Sequence, residues 1–149
     1  MKLTKNKIFI ILLILGFFGF FDAIFLSIIH YKNIVPPCTI THGCEKVLNS
    51  QFAVIFGIPM SNYGAVYFLV SIILNVLVFQ HIKNIWMDRI FLIFNASGII
   101  VAIILLYLQF VVLQALCQYC ILVELILFLS FYFSILFLKS NKLGLQQKI

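Results

Sequence analysis

The chain has 149 residues, of which 64% are hydrophobic and only 9% charged, with 17 Phe and a single Trp. That much apolar surface excludes a water-soluble domain of this length and indicates an integral membrane protein. The net charge of +6 does not point to nucleic acid, because the basic residues gather at the chain ends and in one short connection, where they meet anionic headgroups.

In chain order, the first apolar segment is expected over about residues 8–29, behind Lys2, Lys5 and Lys7. Its basic start and apolar core have the outline of a cleaved leader. However, it is too long, contains Asp22 and lacks a small-x-small cleavage site, so it is expected to stay as a span. A polar stretch over about 31–58 follows. Pro36-Pro37 predicts an extended approach to Cys38, and Gly43 a tight bend before Cys44. Residues 45–56 predict a short amphipathic helix on the outside of the bundle, broken by Gly57 and Pro59. Further spans are expected over about 59–79, 90–112 and 117–138.

Each segment has about 20 residues, enough at about 1.5 Å per residue to cross a hydrocarbon core of about 30 Å. In lipid the backbone must satisfy its own hydrogen bonds, so the spans are helices. The expected fold is an all-α integral membrane protein. It is a four-transmembrane-helix bundle, one domain over 1–149, with an extracytoplasmic loop and short surface helix between helices 1 and 2. The tail over 139–149 is expected to fray.

Lys and Arg set the expected orientation. Lys2, Lys5, Lys7, Lys83, Arg89, Lys139, Lys142 and Lys148 fall on the side of the termini, against Lys32 and Lys46 on the other. The termini are therefore expected to be cytoplasmic. Both cysteine pairs then face the extracytoplasmic side, where disulfides persist.

Four cysteines carry the chemistry. Cys117 and Cys120 form a Cys-Gln-Tyr-Cys motif at the start of the last span. Residues three apart on a helix share a face, and the first turn favours a thiolate, the nucleophile of exchange. The bland alternative is a pair of inert cysteines or a local structural disulfide. Cys38 and Cys44 lie in the polar loop. A disulfide between them closes a small ring and stabilises little, which is the labile kind used for exchange. A loop staple is the alternative. A four-cysteine zinc site is disfavoured, since the spacing has no second CxxC. A loop pair and a helix-start CxxC on one face of a membrane can pass electrons from protein thiols to an acceptor dissolved in the bilayer.

With these features the sequence resembles the vitamin K epoxide reductase (VKOR) family in its prokaryotic four-helix form. The resembling pieces are Cys38, the run from Cys44 to Ser50, the run from Gly57 to Ser61 with Gly64, and the Cys117–Cys120 motif. They span nearly the whole chain. The resemblance implies a quinone-dependent thiol oxidoreductase that supports disulfide formation in exported proteins. A partner's thiols would reduce a Cys38–Cys44 disulfide, with Cys38 the point of attack. Cys44 would exchange with Cys117, and Cys120 would deliver electrons to a quinone between the helices. Ser50 matches a serine near the quinone pocket. Met60 and Glu124 stand where vertebrate members carry an asparagine and a tyrosine that contact the quinone. The expected acceptor is thus an ordinary respiratory quinone, ubiquinone or menaquinone, with vitamin K as the alternative, and no metal is implied.

The chain ends soon after the fourth span, without the thioredoxin-like domain fused to many bacterial members. The expected redox partner is therefore a separate thioredoxin-fold protein, and the expected setting the plasma membrane of a prokaryote. The rival readings are a vitamin K epoxide or quinone reductase whose useful product is the reduced quinone, and a non-enzymatic scaffold stapled by disulfides.

Beyond the cysteines, Glu124 shares their helix face and is expected to give a hydrogen bond or proton to the quinone; a bond to a neighbouring helix is the alternative. Asp22 is expected to join helices through Asn75, Asn95 or Ser97. His30 and Tyr31 read as interface anchors, and His42 as a solvated loop histidine.

Overall fold

The computed structural model describes residues 5–34, 36–38, 43–80 and 85–146, with the backbone alone over 141–146. Lys2, His42, Lys83 and Lys148 lie outside the described residues, as does the side chain of Lys142. The elements are helices α1 (Lys5–Tyr31) and α2 (Cys44–Leu48), strands β1 (Val54–Ile55) and β2 (Ile58–Pro59), and helices α3 (Met60–Gln80), α4 (Ile85–Tyr107) and α5 (Gln118–Gln146). A π-turn, Leu108–Val112, closes α4. Four stretches are long and apolar enough to cross a membrane: Lys5–Tyr31, Met60–Gln80, Ile85–Val112 and Gln118–Ser140.

Helix α1 is the spine and packs on both α3 and α5, while α4 packs chiefly on α5. Its buried face runs Ile8, Leu12, Gly16, Gly19, Ala23, Leu26 and Ile29, the stripe expected of a helix in a left-handed bundle. The small residues in the middle of that stripe set the spacing. A Cβ added at Gly19 would sit 2.4 Å from the Phe68 ring, and one at Gly16 would sit 2.8 Å from Ile72. Only glycine lets α1 and α3 approach so closely, as in other membrane helix pairs.

At the end bearing the termini, Ile8, Leu12, Val78, Phe91 and Phe137 form a buried cluster. Phe9 stacks on Phe79 with ring centroids 4.0 Å apart, and the Lys5 ammonium sits 5.2 Å from the Phe137 ring centroid. Asn75 donates to the Phe9 carbonyl at 3.4 Å and so ties α3 to α1. Asn95 and Ser97 bond the carbonyls of Phe91 and Phe94 on their own helix. The expected partnership of these three with Asp22 is thus not the one adopted, and the Asp22 Oδ2 has no partner among the described residues. At the opposite end Ser27 donates to the Asn62 side-chain oxygen, and the Asn62 amide donates to the Tyr31 hydroxyl at 3.0 Å.

The loop corrects one expectation. The surface helix ends at Leu48, and residues 54–59 form a hairpin rather than more helix. Val54 pairs with Pro59 and Ile55 with Ile58, so Phe56 and Gly57 make a two-residue turn. Both have positive φ, 52° and 78°. That is the backbone of a primed hairpin turn, for which glycine is suited and phenylalanine is not. The β-branched pair Val54-Ile55 and the proline at 59 favour extended chain over helix. The Met60 N–H donates to the Ala53 carbonyl at 2.8 Å and carries the hairpin directly into α3.

Candidate functional site

Cys38 and Cys44 are joined as a disulfide, with their Cα atoms 6.2 Å apart. Cys44 opens α2 and is 1% exposed. Gly43, one residue ahead, has φ of −103°, a value open to any residue, so the bend does not require glycine. Proximity does. A Cβ there would lie 2.7 Å from both the backbone nitrogen and the oxygen of Leu116. The loop backbone therefore rests directly on the chain that leads into Cys117.

On the other side of the disulfide, the Pro37 carbonyl accepts from the Tyr119 hydroxyl at 3.2 Å and from the Gln118 amide at 3.4 Å. The two middle residues of Cys-Gln-Tyr-Cys thus hold the residue before Cys38, and Leu116 supports the residue before Cys44. Phe25 of α1 packs against the Tyr119 ring with centroids 5.5 Å apart, which fixes that side chain from below.

Cys117 lies one residue ahead of α5, not within its first turn as expected. Its carbonyl accepts the Ile121 N–H at 3.0 Å. Its sulfur accepts the Cys120 N–H at 3.4 Å and the Cys120 thiol at 2.8 Å. Sulfur here does what the oxygen of Ser or Asp does at a helix N-cap. The hydrogen bond from the Cys120 thiol, with backbone donors behind it, holds the Cys117 thiol below its ordinary range despite burial. Cys117 is fully buried and Cys120 partly so, both as free thiols.

Behind the pair stands a residue that sequence reasoning passed over. Gln109, 3% exposed, accepts the Cys117 N–H on Oε1 at 3.0 Å and donates from Nε2 to Glu124 Oε1 at 2.6 Å. It sits in the π-turn, where Leu113 N–H reaches the Leu108 carbonyl at 2.8 Å. Such single π-turns reorient side chains at functional sites. The available signal was a lone amide inside an apolar span, the argument already applied to Glu124.

A cavity of about 280 Å³ opens between α1, α3, α4 and α5 under the loop. Its walls are mostly apolar, with Phe68, Met60 and Leu127 among them, and Ser50, Gln109 and Cys120 bring polar atoms to it. Ser50 donates to the Val47 carbonyl at 2.8 Å, which fastens the end of α2 over the cavity. Glu124, 1% exposed, stands behind Gln109 rather than in the wall, and its Oε2 has no partner among the described residues. A quinone ring is flat and apolar with two carbonyl acceptors, so an apolar box with a few donors beside a thiol fits it.

Two cysteine pairs held against one another, one with a sulfur on an apolar cavity inside a four-helix bundle, define a membrane redox protein. The sequence says which kind. Residues 10–135 match the model of the vitamin K epoxide reductase family, and the chain belongs to that family. Its members are oxidoreductases of disulfide and quinone chemistry in membranes, working with thiol redox partners. No curated protein matches the chain.

Proposed function

We propose that the protein is a membrane thiol oxidoreductase that moves electrons from a separate thioredoxin-fold protein to a respiratory quinone, and so supports disulfide formation in exported proteins. A partner thiolate attacks Cys38, the partner leaves oxidised, and Cys38 and Cys44 become thiols. The Cys44 thiolate then attacks Cys117 of a Cys117–Cys120 disulfide, and Cys38 resolves the mixed disulfide. The loop pair is oxidised again and the CxxC becomes a dithiol, with two electrons and two protons carried across.

A bound quinone supplies a two-electron, two-proton acceptor. Ser50, Met60, Gln109 and Cys120 would hold it. Cys120 would present its sulfur on the cavity side and Cys117, at the helix cap, would close the disulfide with it, the two thiols together releasing two electrons and two protons to the acceptor. Glu124 contributes through Gln109.

The observation that carries this reading is the seating of the loop disulfide on the CxxC: Gly43 on Leu116, and Pro37 held by Tyr119 and Gln118. The excess of Lys and Arg in the sequence on the side of the termini supports cytoplasmic termini and extracytoplasmic cysteines in the plasma membrane of a prokaryote. The domain is the single unit over 1–149. The test is quinone reduction by the purified protein with a reduced thioredoxin-like donor. Turnover lost in Cys120→Ala supports the reading. No turnover with ubiquinone or menaquinone analogues, all four cysteines remaining in stable disulfides, would return the protein to a stapled scaffold.

A further inference from the structure

Met60 carries no hydrogen-bond donor, and Glu124 is not in the cavity wall. Among the wall's polar groups, the hydroxyls of Ser50, Tyr63, Tyr67 and Ser97 already donate to backbone carbonyls, and of His30, Ser61 and Gln109 it is Gln109 that is bonded to the cysteine motif.

Gln109 is in the wall beside Cys120. A glutamine amide normally has an ambiguous orientation, because its oxygen and nitrogen are nearly alike. Here it does not. One end takes a backbone N–H, from Cys117 at 3.0 Å, so that end is the oxygen. The other end faces a carboxyl oxygen at 2.6 Å, so it is the nitrogen. The nitrogen has two hydrogens and Glu124 takes one. The backbone is fixed as well: the Gln109 carbonyl accepts the Ala115 N–H at 3.1 Å across the turn into α5. A buried amide hydrogen is costly to leave without an acceptor, and the cavity lies alongside.

Resting on the proposed function, we infer that Gln109 donates its second amide hydrogen to a quinone carbonyl oxygen beside Cys120, and that Glu124 is a positioning residue acting through it. The same side chain holds the backbone of Cys117, so one amide aligns the thiol pair with the acceptor's oxygen. Donors preset in this way stabilise negative charge as it develops on an oxygen.

The test uses the full-length protein in lipid nanodiscs with both cysteine pairs oxidised, so that no electrons flow. Decylubiquinone and menadione serve as probes, and their Kd is read by thermal stabilisation. Gln109→Leu is expected to weaken Kd about 10-fold, the scale of one buried hydrogen bond. Glu124→Gln still offers an oxygen to the Gln109 amide and is expected to stay within about threefold of wild type. Reduction of the Cys38–Cys44 disulfide by a reduced thioredoxin-like protein, followed by alkylation, is read alongside in each variant and reports whether the loop is still seated on the chain leading into Cys117. Gln109→Asn, shorter but polar, is the second variant.

A Gln109→Leu protein that binds quinone as tightly as wild type overturns the inference. So does loss of loop exchange together with quinone binding in both Gln109 variants, which makes the residue a scaffold for Cys117. A wild type that binds quinone but never reduces it defeats the proposed function while leaving Gln109 in place. A wild type that binds neither probe defeats both.

Discussion

The two ends of the bundle are built on opposite principles. Near the termini, Ile8, Leu12, Val78, Phe91 and Phe137 interlock, and Phe137 is fully buried. Near the cysteines, the same four helices hold a cavity open, and polar groups that would be costly in lipid are gathered in pairs: Gln109 with Glu124, Tyr119 with the Pro37 carbonyl, Asn62 with Ser27 and Tyr31. Large rings fix one end by filling space, and directed bonds fix the other without filling it. A site that must admit a ligand needs the second kind of order, and the first kind keeps the bundle from splaying around it.

That contrast can be broken from either end. The largest effect is expected from Cys120→Ala, which should abolish quinone reduction while the donor still reduces the Cys38–Cys44 disulfide; turnover surviving in this variant defeats the route. Next, Phe137→Ala should cost about 3–5 kcal/mol of stability by opening a void among large side chains. Its redox rate per folded molecule should stay at the wild-type value in a denaturation-matched assay, and a fall in that rate would mean the two ends are coupled. Gly43→Ala drives a methyl into the Leu116 backbone, which cannot yield as a flexible side chain would. We expect a loss of about 1–3 kcal/mol, seen as faster alkylation of the loop cysteines after mild reduction. Tyr119→Phe removes one donor to Pro37 and should slow exchange between the pairs about 10-fold, measured by rapid acid quench; an unchanged rate would leave the docking to Gln118 and Gly43. The smallest effect is expected from Phe56→Asn. It suits positive φ better than phenylalanine, and should raise stability by about 0.5 kcal/mol without altering turnover.

Much of this was legible in the sequence, and the limits have physical reasons. The spans were readable because a stretch of about 20 apolar residues has one stable form in lipid. The structure moved their ends by a few residues. The cysteines were readable because few residue types do their chemistry. The hairpin at 54–59 was not, because short apolar runs satisfy helix and strand patterns alike. Only the pairing of Val54 with Pro59 settles the matter. Gly43 was noticed for the wrong property: its role depends on Leu116, more than seventy positions away. Glu124 was singled out as a carboxyl within a span, but its distance from the cavity depends on Gln109 standing between. Gln109 carries a signal of its own, a lone amide inside an apolar span, but its direction depends on the closure from Leu113 back to Leu108, which nothing local marks.

The π-turn also bears on how this chain can change in length. A π-turn is an α-helix carrying one extra residue. Removing a single residue between Gln109 and Val112 would close the bulge into regular helix and leave one residue fewer between Gln109 and Cys117. The Gln109 side chain would lose the orientation that the π-turn gives it, and with it the bond to the Cys117 N–H. Where a helix meets a loop, insertions and deletions are ordinarily absorbed with little harm. Here the residue count from Gln109 to Cys117 is itself part of the site.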